Sequence, residues 1–305
     1  MQLNQKQLFL LVFILLASVV FRPAEVVNGQ DINTALGEGV SSLEGSLGLD
    51  AVGCTRANTA LLNLEFEQRV VELVNIERTK AGLPPLKRND QLDFAVRDHT
   101  QDLVEDDYFA HDTMDRINDT LTFVCGTFTR MNLYYSGYFA AGENLAAGYS
   151  TPEAVVQGWM ASDGHRANIL NLKYREIGVG YYKGAAKYTH YWGQDFGGKS
   201  DVYPVIINNE ALKTTSSVVS AYIYGKGVWA EMRLRTDSGA WSGWVPFQEN
   251  VTWQLPPING THALAVELRA AGAVTAGAAS SDVIELTGMP LPDGWVQIFL
   301  PLLSR

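Results

Sequence analysis

Cysteine is the scarcest functional residue type here, with Cys54 and Cys125 the only two among 305 residues. Their spacing excludes a CxxC redox pair, and neither has a neighbouring His arranged as in a thiol protease. In an oxidising compartment two thiols are most simply one disulfide. It would close a loop of 71 residues, worth roughly 4 kcal/mol in the chain-entropy model. Two separate buried thiols are the other reading. Basic residues are also in deficit: 23 Lys+Arg against 33 Asp+Glu give a formal charge of −10, with no Lys/Arg-rich run. Nonspecific attraction to nucleic acid or to anionic lipid is therefore not expected. Long apolar runs are missing apart from Leu8 to Phe21, preceded by Lys6. That run fits the core of a signal peptide over residues 1–24 and is short for a bilayer span. Because no sharp small-x-small cleavage site follows, an uncleaved N-terminal anchor stays open. No Cys just after the run marks a lipoprotein.

Several catalytic signatures are absent as well. Met160 stands where Gly-x-Ser-x-Gly needs its first glycine before Ser162 and Gly164. Gly178-Val179-Gly180 lacks the third glycine of a dinucleotide loop and precedes a hairpin instead of a helix. There is no His-Glu-x-x-His. Covalent catalysis has no support in the sequence.

What is present reads as two folded domains with extensions, since the chain exceeds what one core usually fills. Residues 25–60 are rich in Gly, Ser, Asn and Ala and read as a linker. Phe66, Val70, Leu73 and Val74 share one helical face, stopped at Gly82-Leu83-Pro84-Pro85. A second helix from about Leu92 to Val104 carries Leu92, Val96, His99 and Leu103 on one stripe. His99 points inward, as a ligand or as a core residue bonded to backbone, the commoner case. His111 lies past that helix, where a side chain can turn into a cleft. Residues 112–137 show little periodicity and read as a long loop. Thr151-Pro152-Glu153 caps a helix whose buried face is Val155, Val156, Trp159 and Met160, with Gly164 expected at its C-terminal turn. His165 and Arg166 would then sit at the helix's carbonyl end, as a cap or as cleft residues. Ile177 to Tyr182 and Tyr188 to Phe196 read as an antiparallel hairpin.

The polar residues wedged between core formers are Glu143 in Gly142-Glu143-Asn144, the Gly164-His165-Arg166 turn, and, in the second hairpin strand, Tyr191 and Gln194 of Tyr191-Trp192-Gly193-Gln194 with Asp195 after them. One face of that strand can look into the same cleft as His111 and Glu143. A carboxylate flanked by Ala141 and Gly142 is at least partly buried and needs a donor, a cation or a proton. Two imidazoles and a carboxylate, His111, His165 and Glu143, are also the ligand types of an open zinc site.

With Phe109-Ala110-His111, these motifs resemble the CAP superfamily of cysteine-rich secretory, antigen 5 and pathogenesis-related proteins, most closely its bacterial secreted branch. The resemblance covers roughly residues 65–198 and implies an α-β-α sandwich within an α+β chain, here a CAP domain at 61–198. It also implies a cleft of two His and two Glu, in which His111 matches the first His and Glu143 the first Glu. Ser162 stands in place of the second Glu and Tyr191 in place of the second His, with His165 the candidate to fill the space left.

Residues 199–290 change texture to short strands with turns between them, as in a small all-β immunoglobulin-like sandwich, with 291–305 a tail. Met232 and Leu234 alternate with Glu231, Arg233 and Arg235. Five of the seven Trp fall in this C-terminal part: Trp229, Trp241, Trp244, Trp253 and Trp295. Packed inside they are core, and exposed they would be a sugar-stacking platform.

The expected function is a secreted or surface-anchored binding module. Its cleft is lined by His111, Glu143, Ser162, His165, Tyr191 and Gln194 and holds a small ligand, a lipid, a cell-wall component, or zinc or calcium. The alternative is a metal-assisted hydrolase with Glu143 as general base and His111 and His165 orienting the ion.

Overall fold

The computed structural model describes residues 53–55, 59 and 61–290. The export segment, most of the linker, the tail and Trp295 lie outside them. Among the described residues no helix is long and apolar enough to cross a membrane.

Asn63 opens helix α1 (Leu64–Lys80) by accepting from the Phe66 amide at 3.0 Å, and acids in the first turn with bases in the last suit the helix dipole. After the short strand β1 (Lys87–Arg88), Asn89 caps α2 (Asp90–Glu105) in the same way. The segment expected to be a loop is instead a hairpin, β2 (Thr113–Ile117) and β3 (Thr120–Cys125), followed by helix α3 (Thr127–Tyr134). The signal that was hidden there is the Asn118-Asp119 pair, both left-handed at φ 49° and 62°, as a two-residue hairpin turn requires. The chain continues through β4 (Ala140–Ala147), α4 (Pro152–Ala161) and α5 (Asp163–Ile169) to the hairpin β5 (Glu176–Lys183) and β6 (His190–Gly198).

The sheet order is β1-β5-β6-β4, so β4 is an edge strand. Strand alternation then separates two layers. Ile177, Val179, Trp192 and Phe196 pack with Val70 and Val74 of α1 and with Val155 and Trp159 of α4. The opposite face carries glycine at 178, 180 and 193, where α2 lies directly on the strand backbones. A Cβ on Gly178 would stand 2.2 Å from the Leu92 carbonyl carbon, and one on Gly180 would stand 2.7 Å from the Val96 oxygen. We expect Gly178→Ala to cost about 3 kcal/mol by forcing α2 off the sheet, read as a lower denaturant midpoint with an unchanged slope.

The layer carrying α2 and α3 completes an α-β-α sandwich. The disulfide Cys54–Cys125, with Cα atoms 5.8 Å apart, ties the chain ahead of α1 to the end of β3.

Beyond it, β7 (Val205–Ile207), β8 (Lys213–Thr214), β9 (Val218–Ile223), β10 (Glu231–Thr236), β11 (Val245–Pro246), β12 (Asn250–Gln254), β13 (Gly260–Arg269) and β14 (Ala278–Leu286) form a β-sandwich. Its sheets are β11-β10-β13-β14-β8 and β12-β9-β7. Met232, Leu234, Leu264, Val266 and Leu268 of one sheet meet Val219, Ala221 and Ile223 of the other. Trp229 and Trp253 pack against this core. Trp241 and Trp244 do not: they interleave with guanidinium groups, Arg233 at 5.1 and 4.8 Å from the two rings, Arg235 at 4.6 Å from Trp241 and Arg269 at 4.2 Å from Trp244. Cationic faces already cover these indoles, so neither is a bare stacking platform.

The sandwich is fastened to the first domain. Lys87 reaches Glu210 at 2.8 Å and also pairs with Asp282, and the Tyr224 hydroxyl donates to the Pro85 carbonyl at 2.8 Å. Asn75 donates to the Asn209 carbonyl at 3.2 Å.

Candidate functional site

Strand alternation places Glu143 on the α2/α3 face of β4, at the sheet edge. Its side chain is 2% exposed and its neighbour Arg130, from α3, is 1% exposed. Arg130 Nη2 donates to Glu143 Oε2, while Arg130 Nη1 donates to the His111 carbonyl at 3.1 Å and to the Thr113 hydroxyl at 2.9 Å. The other carboxylate oxygen, Oε1, meets His111 Nδ1 at 2.8 Å. Burial alone would push the Glu143 carboxyl up, but the Arg130 charge and the His111 bond outweigh it and hold it below the usual carboxylate range. The Glu143 bond in turn raises the His111 imidazole above its ordinary value, against partial burial. His111 is 57% exposed, so its ring couples a buried ion pair to solvent. With Nδ1 bonded to Glu143, Nε2 is the nitrogen left to meet a ligand.

His165 does not leave a helix at its carbonyl end. The α4 helix stops at Ser162, extended at φ −101° and ψ 125°, and a second short helix starts at Asp163. Ser162 breaks the helix where Gly164 was expected to, and His165 lies in the first turn of α5. It approaches the His111 side of the site: burial and then the His111 charge lower its imidazole. Its backbone carbonyl accepts from Asn144 Nδ2 at 3.1 Å.

Tyr191 shares the sheet face of Glu143 and packs 6.3 Å from the Phe109 ring, whereas Gln194 lies on the other face. Tyr191 is buried with Leu103, Val104, Tyr108 and Leu145. Gln194 is fully buried on the opposite face of the sheet from Glu143, where its Oε1 accepts from Asn144 at 3.1 Å. The one-residue alternation of β6 is the reason: Gln194 is paired with Asn144, and it is Asp195 that stands opposite Glu143.

His99 is a core residue, bonded through Nε2 to the Ala110 carbonyl at 2.9 Å. Burial, with Arg130 nearby, pushes it down to about 3, so the ring is neutral and Nε2 carries the proton.

A metal on His111, Glu143 and His165 does not fit these residues. Both Glu143 oxygens are committed, one of them to a buried guanidinium that would repel a cation. Among the described residues, the His, Cys, Asp and Glu ligand atoms that converge within 4.8 Å are those of Asp102, Asp106 and Asp115, which include none of these three.

Arg130 was missed because it lies in the stretch that reads as a loop. Its signal was a single base in the short helical pattern Thr127–Tyr134. One concavity adjoins the site and another lies at the joint with the sandwich; His111 lines neither. The first, about 360 Å³, is lined by His99, Asp102, Thr113 and Arg130. The other, about 630 Å³, runs between Pro84, Pro85 and Tyr222 at the joint with the sandwich. The His111 ring is open to solvent, and the half-exposed Phe109 ring, two residues earlier in the chain, packs 6.3 Å from Tyr188 and from Tyr191.

Residues 71–196, which span the α-β-α sandwich and every one of these side chains, match the model of the cysteine-rich secretory protein family, CAP. This stretch is a CAP domain. It is 40% identical over 134 residues to the uncharacterised protein YkwD of Bacillus subtilis, covering 44% of this chain and 48% of that one. It is 32% identical over 114 residues to the uncharacterised membrane protein YlbC of the same organism, covering 37% and 31%. The chain thus spans about half or less of the length of these relatives. Among solved structures, an extracellular protein containing an SCP domain from Bacillus anthracis is 29% identical over 46% of this chain and 45% of that one, with a TM-score of 0.38. The CAP domain here keeps His111 and Glu143 as a bonded pair, with Arg130 taking up the carboxylate's second oxygen.

Proposed function

We propose that this is an extracellular binding module whose CAP domain uses His111 to hold the anionic or carbonyl head of a small amphiphilic ligand. The observation that carries it is the double commitment of Glu143 to Arg130 and His111. The carboxylate serves to orient and charge the imidazole, which leaves His111 Nε2 as a cationic donor on an open surface, with Phe109, two residues earlier in the chain, also exposed. One well-placed donor together with the exposed aromatic surface of Phe109 and Tyr188 suits a lipid-like molecule with a polar head. The Leu8–Phe21 run and the single disulfide support export of the chain or its display at the cell surface.

A metal-assisted hydrolase is the weaker reading, because Glu143, the expected base, is buried and held ionised by Arg130 and His111, which makes it a poor proton acceptor from water. Calorimetric titration with dodecanoate is the test. Binding is expected in the native protein, falling at least tenfold in His111→Ala and weakening as pH rises through the His111 titration. Equal affinity in His111→Ala, or no heat in either protein, would overturn the assignment.

A further inference from the structure

The buried carboxyl that the site description leaves unused is Asp195. It faces Glu143 directly across the β4–β6 ladder, on the glycine-lined side of the sheet beneath α2, and it is 0% exposed. Neither of its oxygens meets a hydrogen-bond donor. Among the described residues, the other buried carboxyls each find at least one. Glu67 has Arg88 and Arg97, Asp93 has Arg88 and the Val179 amide, and Glu176 has Asn89 and Tyr135. Asp98 has Tyr134 and Asp102 has Tyr108, Glu210 has Lys87 and the Arg88 amide, and Asp282 has Lys87 and the Ile207 amide. The cation whose charge reaches Asp195 among the described residues, Arg130, is already bonded to Glu143.

An ionised carboxylate in that position would be a buried charge with no donor, next to a second buried carboxylate. A protonated one resolves both conflicts, since its O–H is the donor the arrangement lacks and Glu143 is the acceptor it faces. We propose that Asp195 is a positioning residue that holds Glu143 with a proton of its own, extending the His111–Glu143 pair inward as a chain His111 Nδ1–H···Glu143···H–O Asp195. Burial first, and the Glu143 charge second, push the Asp195 carboxyl well above the usual range, which agrees with this geometry.

The consequence for the site is that two adjacent carboxyls share one proton and carry one negative charge. That charge sits on Glu143, where Arg130 and His111 are bonded to it. Asp195 thereby fixes which carboxyl is the base facing His111, without touching any ligand. The inference rests on the Glu143–His111 pair and is independent of what His111 binds.

Two readouts on the intact protein test it, neither involving a ligand. With carboxyl-labelled aspartate, the Asp195 resonance, assigned by its loss in Asp195→Asn, should sit at the position of a protonated acid at neutral pH. The His111 titration midpoint should stay within a few tenths of a pH unit in Asp195→Asn, because the amide N–H replaces the acid O–H without changing the charge. It should move visibly in Asp195→Ala, which leaves Glu143 without that donor. Three results would each overturn the proposal: an Asp195 resonance at the ionised position, a fall in the His111 midpoint of about one unit or more in Asp195→Asn, as loss of a nearby negative charge gives, or an unmoved midpoint in Asp195→Ala. If Asp195→Ala does not fold, the resonance and the Asn variant still decide.

Discussion

Replacing Arg130 by Met should destabilise the protein by about 3–5 kcal/mol, the usual cost of stranding a buried charge. The guanidinium is 1% exposed and the Glu143 side chain 2%, so no solvent can take over when the partner goes. The loss reaches further than one ion pair, because Arg130 also ties the His111 carbonyl and the Thr113 hydroxyl, the points where the chain turns from α2 into the hairpin. Thermal unfolding should shift by roughly 10 °C for a domain pair of this size.

The sign of the pH dependence separates this mechanism from simple loss of packing. Glu143 titrates below its unfolded value in the native protein. Its contribution is therefore present above the ordinary carboxylate range and lost as pH falls through the depressed value. Without Arg130 the carboxyl moves up, and lowering the pH then neutralises it. The deficit of Arg130→Met relative to wild type should consequently shrink between neutral pH and about pH 4. A deficit that stays constant with pH would mean that side-chain volume, and not charge, is what Arg130 contributes.

The second large effect lies at the joint. Lys87→Met should cost about 3 kcal/mol by leaving Glu210 and Asp282, both buried, facing each other without a cation. Glu210 is pushed up to about 7 by burial, with Asp282 adding to the shift and Lys87 opposing it. A carboxyl raised in the folded state contributes stability that is complete below its unfolded value and is lost as pH rises through the folded one. The joint should therefore weaken in the wild type as pH climbs through about 7, and more steeply in Lys87→Met. Denaturant unfolding across that range, followed at the sandwich tryptophans, measures it. A flat pH profile in both proteins would remove Glu210 from the account.

Much of the fold was legible because the signals were local. Caps, prolines and heptad-like spacing place α1, α2 and α4 almost at their observed bounds, and the period-2 pattern gives the β5–β6 hairpin and the inward Met232 and Leu234. Where long-range packing decides, local reading failed. Residues 112–137 look irregular because a two-stranded hairpin outside the main sheet buries little of either face, and Ile117, Leu121 and Phe123 stay exposed. Trp241 and Trp244 read as core until the arginines of the neighbouring strands are placed over them.

The candidate site was half visible for a similar reason. Glu143 and His111 stand out as a carboxylate in a small-residue run and a His beyond a helix end. Of their partners, Arg130 does not, being one base in a stretch with little periodicity; Asp195 is readable as a polar entry of its strand, but one position separates it from Gln194, and only the strand register shows that Asp195 shares the face of Glu143.

The central claim is that a buried, ionised Glu143 sets the charge of an exposed His111. Titrating the His111 ring by NMR in the wild type and in Glu143→Gln tests it most directly. The account predicts a midpoint above the ordinary histidine value in the wild type that drops by about one unit or more in the variant, as loss of an adjacent negative charge requires. A wild-type midpoint at the ordinary value, unmoved by Glu143→Gln, would contradict it.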